Sequence, residues 1–207
     1  MPTTEDPFDL MHPQPLLIVI SGPSGIGKDS VLQEMKKRAL PFHFVVTANT
    51  RAPRPEEVDG VDYIFMSREE FLAGVARGDF IEHAKVYNDL KGIPRWQIEE
   101  ALKSGKDVVL RVDVQGAETV RNLYPEALLI FLIPTSYDEW HARLVKRNTE
   151  CPADLQTRIE ISVKELEKVG IFDYFVVNAE HLLCSAVDDI ERIIRVEHLA
   201  VRHRKIF

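Results

Sequence analysis

Cysteine is nearly absent: the 207 residues hold only Cys151 and Cys184, far apart and in no Cys-x-x-Cys arrangement. That excludes a disulfide framework and a thiolate zinc site, and it suits a reducing compartment, so the expected location is the cytoplasm. Long hydrophobic runs are missing too, none approaching the ~20 residues that a membrane helix requires. A basic excess is lacking, since 26 Lys and Arg face 33 Asp and Glu for a net charge of −7. Proteins that track nucleic-acid polymers usually carry the opposite balance, so no such partner is expected. The seven histidines show no ligand spacing, and no internal repeat or low-complexity segment occurs. Residues 1–14, rich in Pro, Thr, Asp and His, have no basic stretch leading into an apolar one and read as a short disordered lead-in without an export signal.

What remains is an ordinary globular composition with 45% hydrophobic residues, in a chain long enough to bury roughly 70% of its unfolded surface. Strand-length apolar runs alternate with stretches of helical period, which predicts an α/β fold. Residues 16–20, 44–46, 108–112, 128–133 and 174–177 are rich in Val, Ile, Leu and Phe, as strands of a parallel sheet buried on both faces are. Helices are expected over 28–39, 68–76, 95–103, 117–123, 137–146, 154–168 and from 182 to about 201. In the sixth, Leu155, Ile159, Val163 and Leu166 recur on one face. Residues 49–90 break the alternation with charge and proline, then offer strand-like pieces at 63–66 and 80–86, and read as an insertion that binds a substrate.

The first predicted strand runs into Ser21-Gly22-Pro23-Ser24-Gly25-Ile26-Gly27-Lys28-Asp29-Ser30 and then into an amphipathic helix. A strand, a glycine-rich turn and a helix start form the setting of a phosphate-binding loop. Glycines let successive N–H groups converge on an anion, the helix start adds its positive dipole end, and Lys28 supplies a mobile charge. In such loops the residue after the lysine is ordinarily Ser or Thr, a Mg²⁺ ligand. Here it is Asp29. A carboxylate ~5 Å from a phosphate charge costs roughly 3 kcal/mol at an effective dielectric near 20, and a cation between them reverses the sign. The expectation is therefore that Asp29 faces Mg²⁺.

Farther on, Thr50-Arg51-Ala52-Pro53-Arg54-Pro55-Glu56-Glu57-Val58-Asp59-Gly60-Val61-Asp62-Tyr63-Ile64-Phe65 sets two arginines three apart among acids and a tyrosine. Guanidinium forks suit a second phosphate. The pattern Thr-Arg-x-x-Arg-x-x-Glu-x-x-Gly-x-x-Tyr-x-Phe resembles that of bacterial-type guanylate kinases, and the resemblance extends from Leu16 to about Ala200. It implies a P-loop nucleoside monophosphate kinase fold with a core (15–47, 93–147 and 159–207), a GMP-binding insertion (48–92) and a helical lid (147–158). It also implies transfer of the γ-phosphoryl of MgATP to GMP, giving ADP and GDP.

By that resemblance Thr47, Arg51, Arg54, Glu57, Tyr63, Glu82, Lys91 and Asp113 serve GMP, with Glu82 reading the guanine edge. Residues 22–30, Arg143 and Asn178 serve ATP, and Lys28, Arg51, Arg147 and Arg158 carry the transferring charge. Several positions depart from the family pattern. Leu90-Lys91-Gly92-Ile93 stands where a tyrosine pair, Gly and a hydroxyl residue are usual, Ala48 and Asn49 replace hydroxyl residues, and Arg111 replaces the first Asp of an Asp-x-Asp-x-Gln-Gly run. Two other readings share features of the sequence. Ribose bisphosphate kinases also carry Gly-Lys-Asp-Ser but lack the Arg51 to Tyr63 loop and Glu82. Non-catalytic guanylate-kinase-like modules, which bind phosphopeptides, usually lose the loop lysine retained here as Lys28. The implied partners are ATP and GMP, with Mg²⁺, in a monomer or homodimer.

Overall fold

Side-chain alternation along the first strand decides how the layers stack. In the computed structural model, which describes residues 14–55, 57–86, 88–146 and 152–200, β1 (Leu17–Ser21) is buried at every position. Leu16, Ile18 and Ile20 join one apolar cluster, with Val31 and Met35 of α1 (Lys28–Lys37) and Val187 and Ile190 of α7 (Leu183–His198). Leu17 and Val19 join another, with Ile98 and Ala101 of α3 (Arg95–Lys103) and Val120 of α4 (Val114–Leu123). A period of two thus covers both faces of the sheet with helices.

That sheet has five parallel strands in the order β2-β7-β1-β8-β9, where β2 is His43–Phe44, β7 Val108–Arg111, β8 Leu128–Ile133 and β9 Tyr174–Val177. The fold is α/β, as expected. The edge strand β2 is shorter than the 44–46 reading because the Val46 N–H is drawn to the side-chain oxygen of Gln97 at 2.9 Å, which ends the ladder. The helix expected from 117 begins at Val114, since the Asp113 carboxylate accepts from the Gly116 N–H at 2.8 Å and caps it. Between β8 and β9 come α5 (Tyr137–Lys146) and α6 (Pro152–Glu167), the latter opening on proline two residues before its predicted start and running into a short 3-10 turn, Lys168–Ile171.

A second sheet takes the order β4-β3-β6-β5, built from β3 (Ala48–Asn49), β4 (Ile64–Phe65), β5 (Phe80–Val86) and β6 (Asp89–Pro94). Strand β3 runs parallel to β4 and antiparallel to β6, which pairs antiparallel with β5. Helix α2 (Arg68–Arg77) covers it, its start secured by a capping box between Ser67 and Glu70. Phe71 of α2 stacks on Phe80 of β5 with centroids 4.4 Å apart. A Cβ on Gly92 would lie 2.8 Å from Phe80 Cδ1 and 2.9 Å from Phe71 Cζ, so this small core admits only glycine there. Helix α4 packs against β5 and brings the two sheets together at one seam. Among the described residues no helix is long and apolar enough to cross a membrane.

Candidate active site

The turn after β1 is held in a shape that only glycine tolerates. Gly22, Gly25 and Gly27 have φ of 143°, 78° and 96°, and a Cβ on them would meet Leu132 O at 2.6 Å, Leu144 Cδ2 at 2.7 Å and Asn178 Nδ2 at 2.6 Å. Gly27 is also the residue on which α1 starts. The Lys28 ammonium folds back to donate to the carbonyls of Gly22 and Pro23. Its pKa is lowered by desolvation, against the opposing pull of Glu165, Asp113 and Asp29.

Several side chains brace this loop from behind. Asn178 is buried and donates Nδ2 to the Ile26 carbonyl at 2.7 Å. Arg143 directs NH1 to the same carbonyl at 3.4 Å and binds the Glu139 carboxylate through NH2. Both residues, assigned to ATP from the sequence, reach the loop through this one carbonyl. Trp140, which no motif signals because it belongs to the apolar stripe of α5, donates its indole N–H to Ser24 O at 2.9 Å. Glu165 of α6 is a further group that pattern did not point to. It lies close enough to Lys28 to raise its pKa, and its Oε2 is buried without a hydrogen-bond partner among the described residues. Ser30 is exposed on α1. Arg147 lies outside the described residues, and so does the side chain of Arg158.

Across the seam stands a second charged group. Arg51 grips Glu57 in a two-pronged pair, NH1 to Oε2 at 2.6 Å and NH2 to Oε1 at 2.5 Å. The guanidinium beside it holds the Glu57 carboxyl down at about 2. The Arg54 N–H also donates to Glu57, at 2.8 Å, while the Arg54 side chain is exposed. Tyr63 lies under the cations: Arg51 is 5.0 Å and Lys91 6.0 Å from its ring centroid. Lys91 stands on β6 opposite Asn49 of β3, and burial lowers its pKa first, with Arg111 and Arg51 adding to the effect. Thr47 leads into β3, its carbonyl accepting from the Ile64 N–H at 3.0 Å. Glu82 on β5 is pushed up to about 7 by desolvation and by the neighbouring charge of Asp113.

These two groups share neighbours. Arg111 pairs with Asp29, the residue after Lys28, and lies over the Tyr63 ring that Arg51 also faces, so the phosphate loop and the Arg51 group face a common space. A cleft of about 440 Å³ opens beside it, its lining including Asp29, Arg54, Glu57, Tyr63 and Arg111. Asp29 differs from the sequence expectation, because its carboxylate pairs with the Arg111 guanidinium. No cluster of three His, Cys, Asp or Glu residues placed to hold a metal occurs among the described residues. A carboxylate already neutralised by arginine does not fit the part of Mg²⁺ ligand.

Comparison with known proteins agrees with this geometry. The family model described as guanylate kinase matches residues 14–197. The chain is 46% identical over 195 residues to guanylate kinase 2, chloroplastic/mitochondrial, of Oryza sativa subsp. japonica, covering 94% of this chain and 68% of that one. It is 40% identical over 189 residues to the guanylate kinase of Desulfitobacterium hafniense, covering 91% and 94%. The crystal structure of guanylate kinase from Anaplasma phagocytophilum superposes with a TM-score of 0.71 at 28% identity, covering 90% of this chain and 88% of that one. With a P-loop, a facing arginine group and this extent of similarity, the chain belongs to the guanylate kinase family.

Proposed function

We propose that the chain transfers the γ-phosphoryl group of ATP to the phosphate of GMP, releasing ADP and GDP. The observation that carries this reading is the single cleft lined both by Asp29, the residue after Lys28, and by Arg54, Glu57 and Tyr63: a donor cradle and an acceptor group open on one space. A phosphate oxygen of GMP attacks the γ-phosphorus, the bond from that phosphorus to the β,γ-bridging oxygen breaks, and ADP leaves. The GMP phosphate is already an anionic nucleophile, so no side chain is required to remove a proton. Alignment and neutralisation of charge are the protein's task.

Lys28 and the loop N–H groups hold the donor phosphates. Arg51, Arg54, Tyr63 and Lys91 hold the acceptor phosphate, with Arg51 kept in place by Glu57. Glu82 accepts from the two adjacent N–H donors of the guanine edge, Thr47 contributes its hydroxyl, and Asp113 lies between the two nucleotides. Residues 48–92 act as the acceptor-binding insertion and 147–158 as a lid that brings Arg147 and Arg158 to the transferring group and excludes water. Asn178 and Arg143 serve ATP by stiffening its loop. Mg²⁺ accompanies ATP, held chiefly by the nucleotide's own phosphates, as this ion commonly is. The protein works in the cytoplasm as a monomer or homodimer.

ADP release measured with GMP, AMP or ribose bisphosphate as acceptor tests the reading. Turnover that depends on GMP is expected. Equal or greater turnover with another acceptor, or none with GMP, overturns it.

A further inference from the structure

Arg111 ends β7, and Ile20 of β1 is its register partner, so its side chain leaves the sheet at the carboxyl ends of the strands, beside the turn that becomes the phosphate loop. In open parallel sheets that edge is where ligands bind. Three contacts define its place. The guanidinium pairs with Asp29, the residue following Lys28, through NH1. Its carbon lies 4.7 Å from the centroid of Tyr63, closer than Arg51 at 5.0 Å or Lys91 at 6.0 Å. It lines the same cleft as Arg54 and Tyr63. One phenol ring is therefore flanked by three cationic side chains, two of them each matched by a single carboxylate, Glu57 for Arg51 and Asp29 for Arg111. Like charges crowd together at this density where an anion is to be received.

Resting on the function proposed above, we propose that Arg111 is an additional ligand of the acceptor phosphate, and that Asp29 is its positioning residue. An arginine has five N–H donors in a fixed fork. Asp29 engages NH1 and orients the plane, while Nε and NH2 make no hydrogen bond among the described residues and are left for phosphate oxygens. The pair supplies here what Lys91 and Ile93 cannot, since the hydroxyl groups of the family pattern are missing at those positions. It also accounts for the carboxylate after Lys28: Asp29 answers an arginine of the chain, and its negative charge is not set against the nucleotide's.

Direct calorimetric titration of the nucleotide-free protein with GMP and with guanosine, beside steady-state kinetics, tests this. Loss of one charge-assisted contact predicts that Arg111→Ala weakens GMP binding and raises its KM about 10- to 100-fold. Guanosine binding and the KM for ATP are expected to stay within about twofold, because the phosphate is the group affected. Arg111→Lys keeps the charge and is expected to recover part of the affinity, which holds the test open where the alanine variant folds poorly. Asp29→Asn is expected to weaken GMP in the same direction, to add nothing once Arg111 is alanine, and to leave the Mg²⁺ midpoint unmoved. Wild-type GMP affinity in Arg111→Ala, equal loss of GMP and guanosine, or a shifted Mg²⁺ midpoint in Asp29→Asn with GMP binding intact overturns the proposal. Turnover of the unmodified protein with GMP separates such a failure from failure of the function itself.

Discussion

Replacing Glu82 with glutamine probes how the acceptor site distinguishes a base. Glu82 sits on β5 with Ile93 of β6 as its register partner, where burial and the charge of Asp113 carry its carboxyl from an ordinary 4.5 to about 7. In the empty protein the group is about half ionised at neutral pH, falling from about nine-tenths at pH 8 to about one-tenth at pH 6. The two guanine N–H donors favour the ionised form, so GMP affinity through this contact is expected to drop about tenfold across that interval. The titration of the GMP phosphate near 6 contributes to the same profile but is common to wild type and variant. In Glu82→Gln the amide meets one guanine donor with a donor of its own, and KM for GMP is expected to rise about 10- to 100-fold with the Glu82 part of the pH dependence gone.

Stability moves the other way. A carboxyl whose folded pKa is raised destabilises the fold by an amount absent below 4.5, growing up to about 7 and constant above it. That plateau is at most about 3 kcal/mol. Urea unfolding at pH 8 is therefore expected to show Glu82→Gln more stable than wild type by about 1–3 kcal/mol, and little different at pH 4. Parallel GMP pH profiles for the two proteins, or a variant less stable at pH 8, refute the reasoning.

Lys28→Ala removes the loop cation, and a fall in kcat of about 100-fold or more is expected in the ADP-release assay. Gly27→Ala places a Cβ 2.6 Å from Asn178 Nδ2 at a φ of 96°. About 1–3 kcal/mol of stability should be lost, with weaker ATP binding, as read by thermal unfolding with and without ATP. Trp140→Phe abolishes the donor to Ser24 O and leaves that carbonyl unmatched. About 1–3 kcal/mol lost in urea, with KM for ATP rising more than KM for GMP, is the expected signature of a brace on the donor loop.

The parallel sheet was legible because its strands are continuous apolar runs and its helices carry single apolar stripes. The phosphate loop was legible because the contortion it needs demands glycine at fixed spacings, a local requirement that leaves a local mark. The second sheet was only half visible. Ala48–Asn49 is too short to show a period, and the segment 89–94 carries charge and a glycine that exists to make room for Phe71 and Phe80, a reason that appears only once those rings are stacked.

What lies within one segment was thus legible in the sequence itself: the glycine-rich loop with Lys28, and two arginines three apart among acids and a tyrosine at 51–63. Chemistry between distant segments waited for the fold. Nothing local tells that Asp29 and Arg111, 82 residues apart, form a pair, and without that pair a carboxylate beside a phosphate site reads as a metal ligand. The bonds of Trp140 to Ser24 O, and of Asn178 and Arg143 to the Ile26 carbonyl, likewise join segments far apart in the chain. Coulomb and hydrogen-bond energies depend on separation in space, and for residues far apart along the chain only the tertiary structure sets that separation.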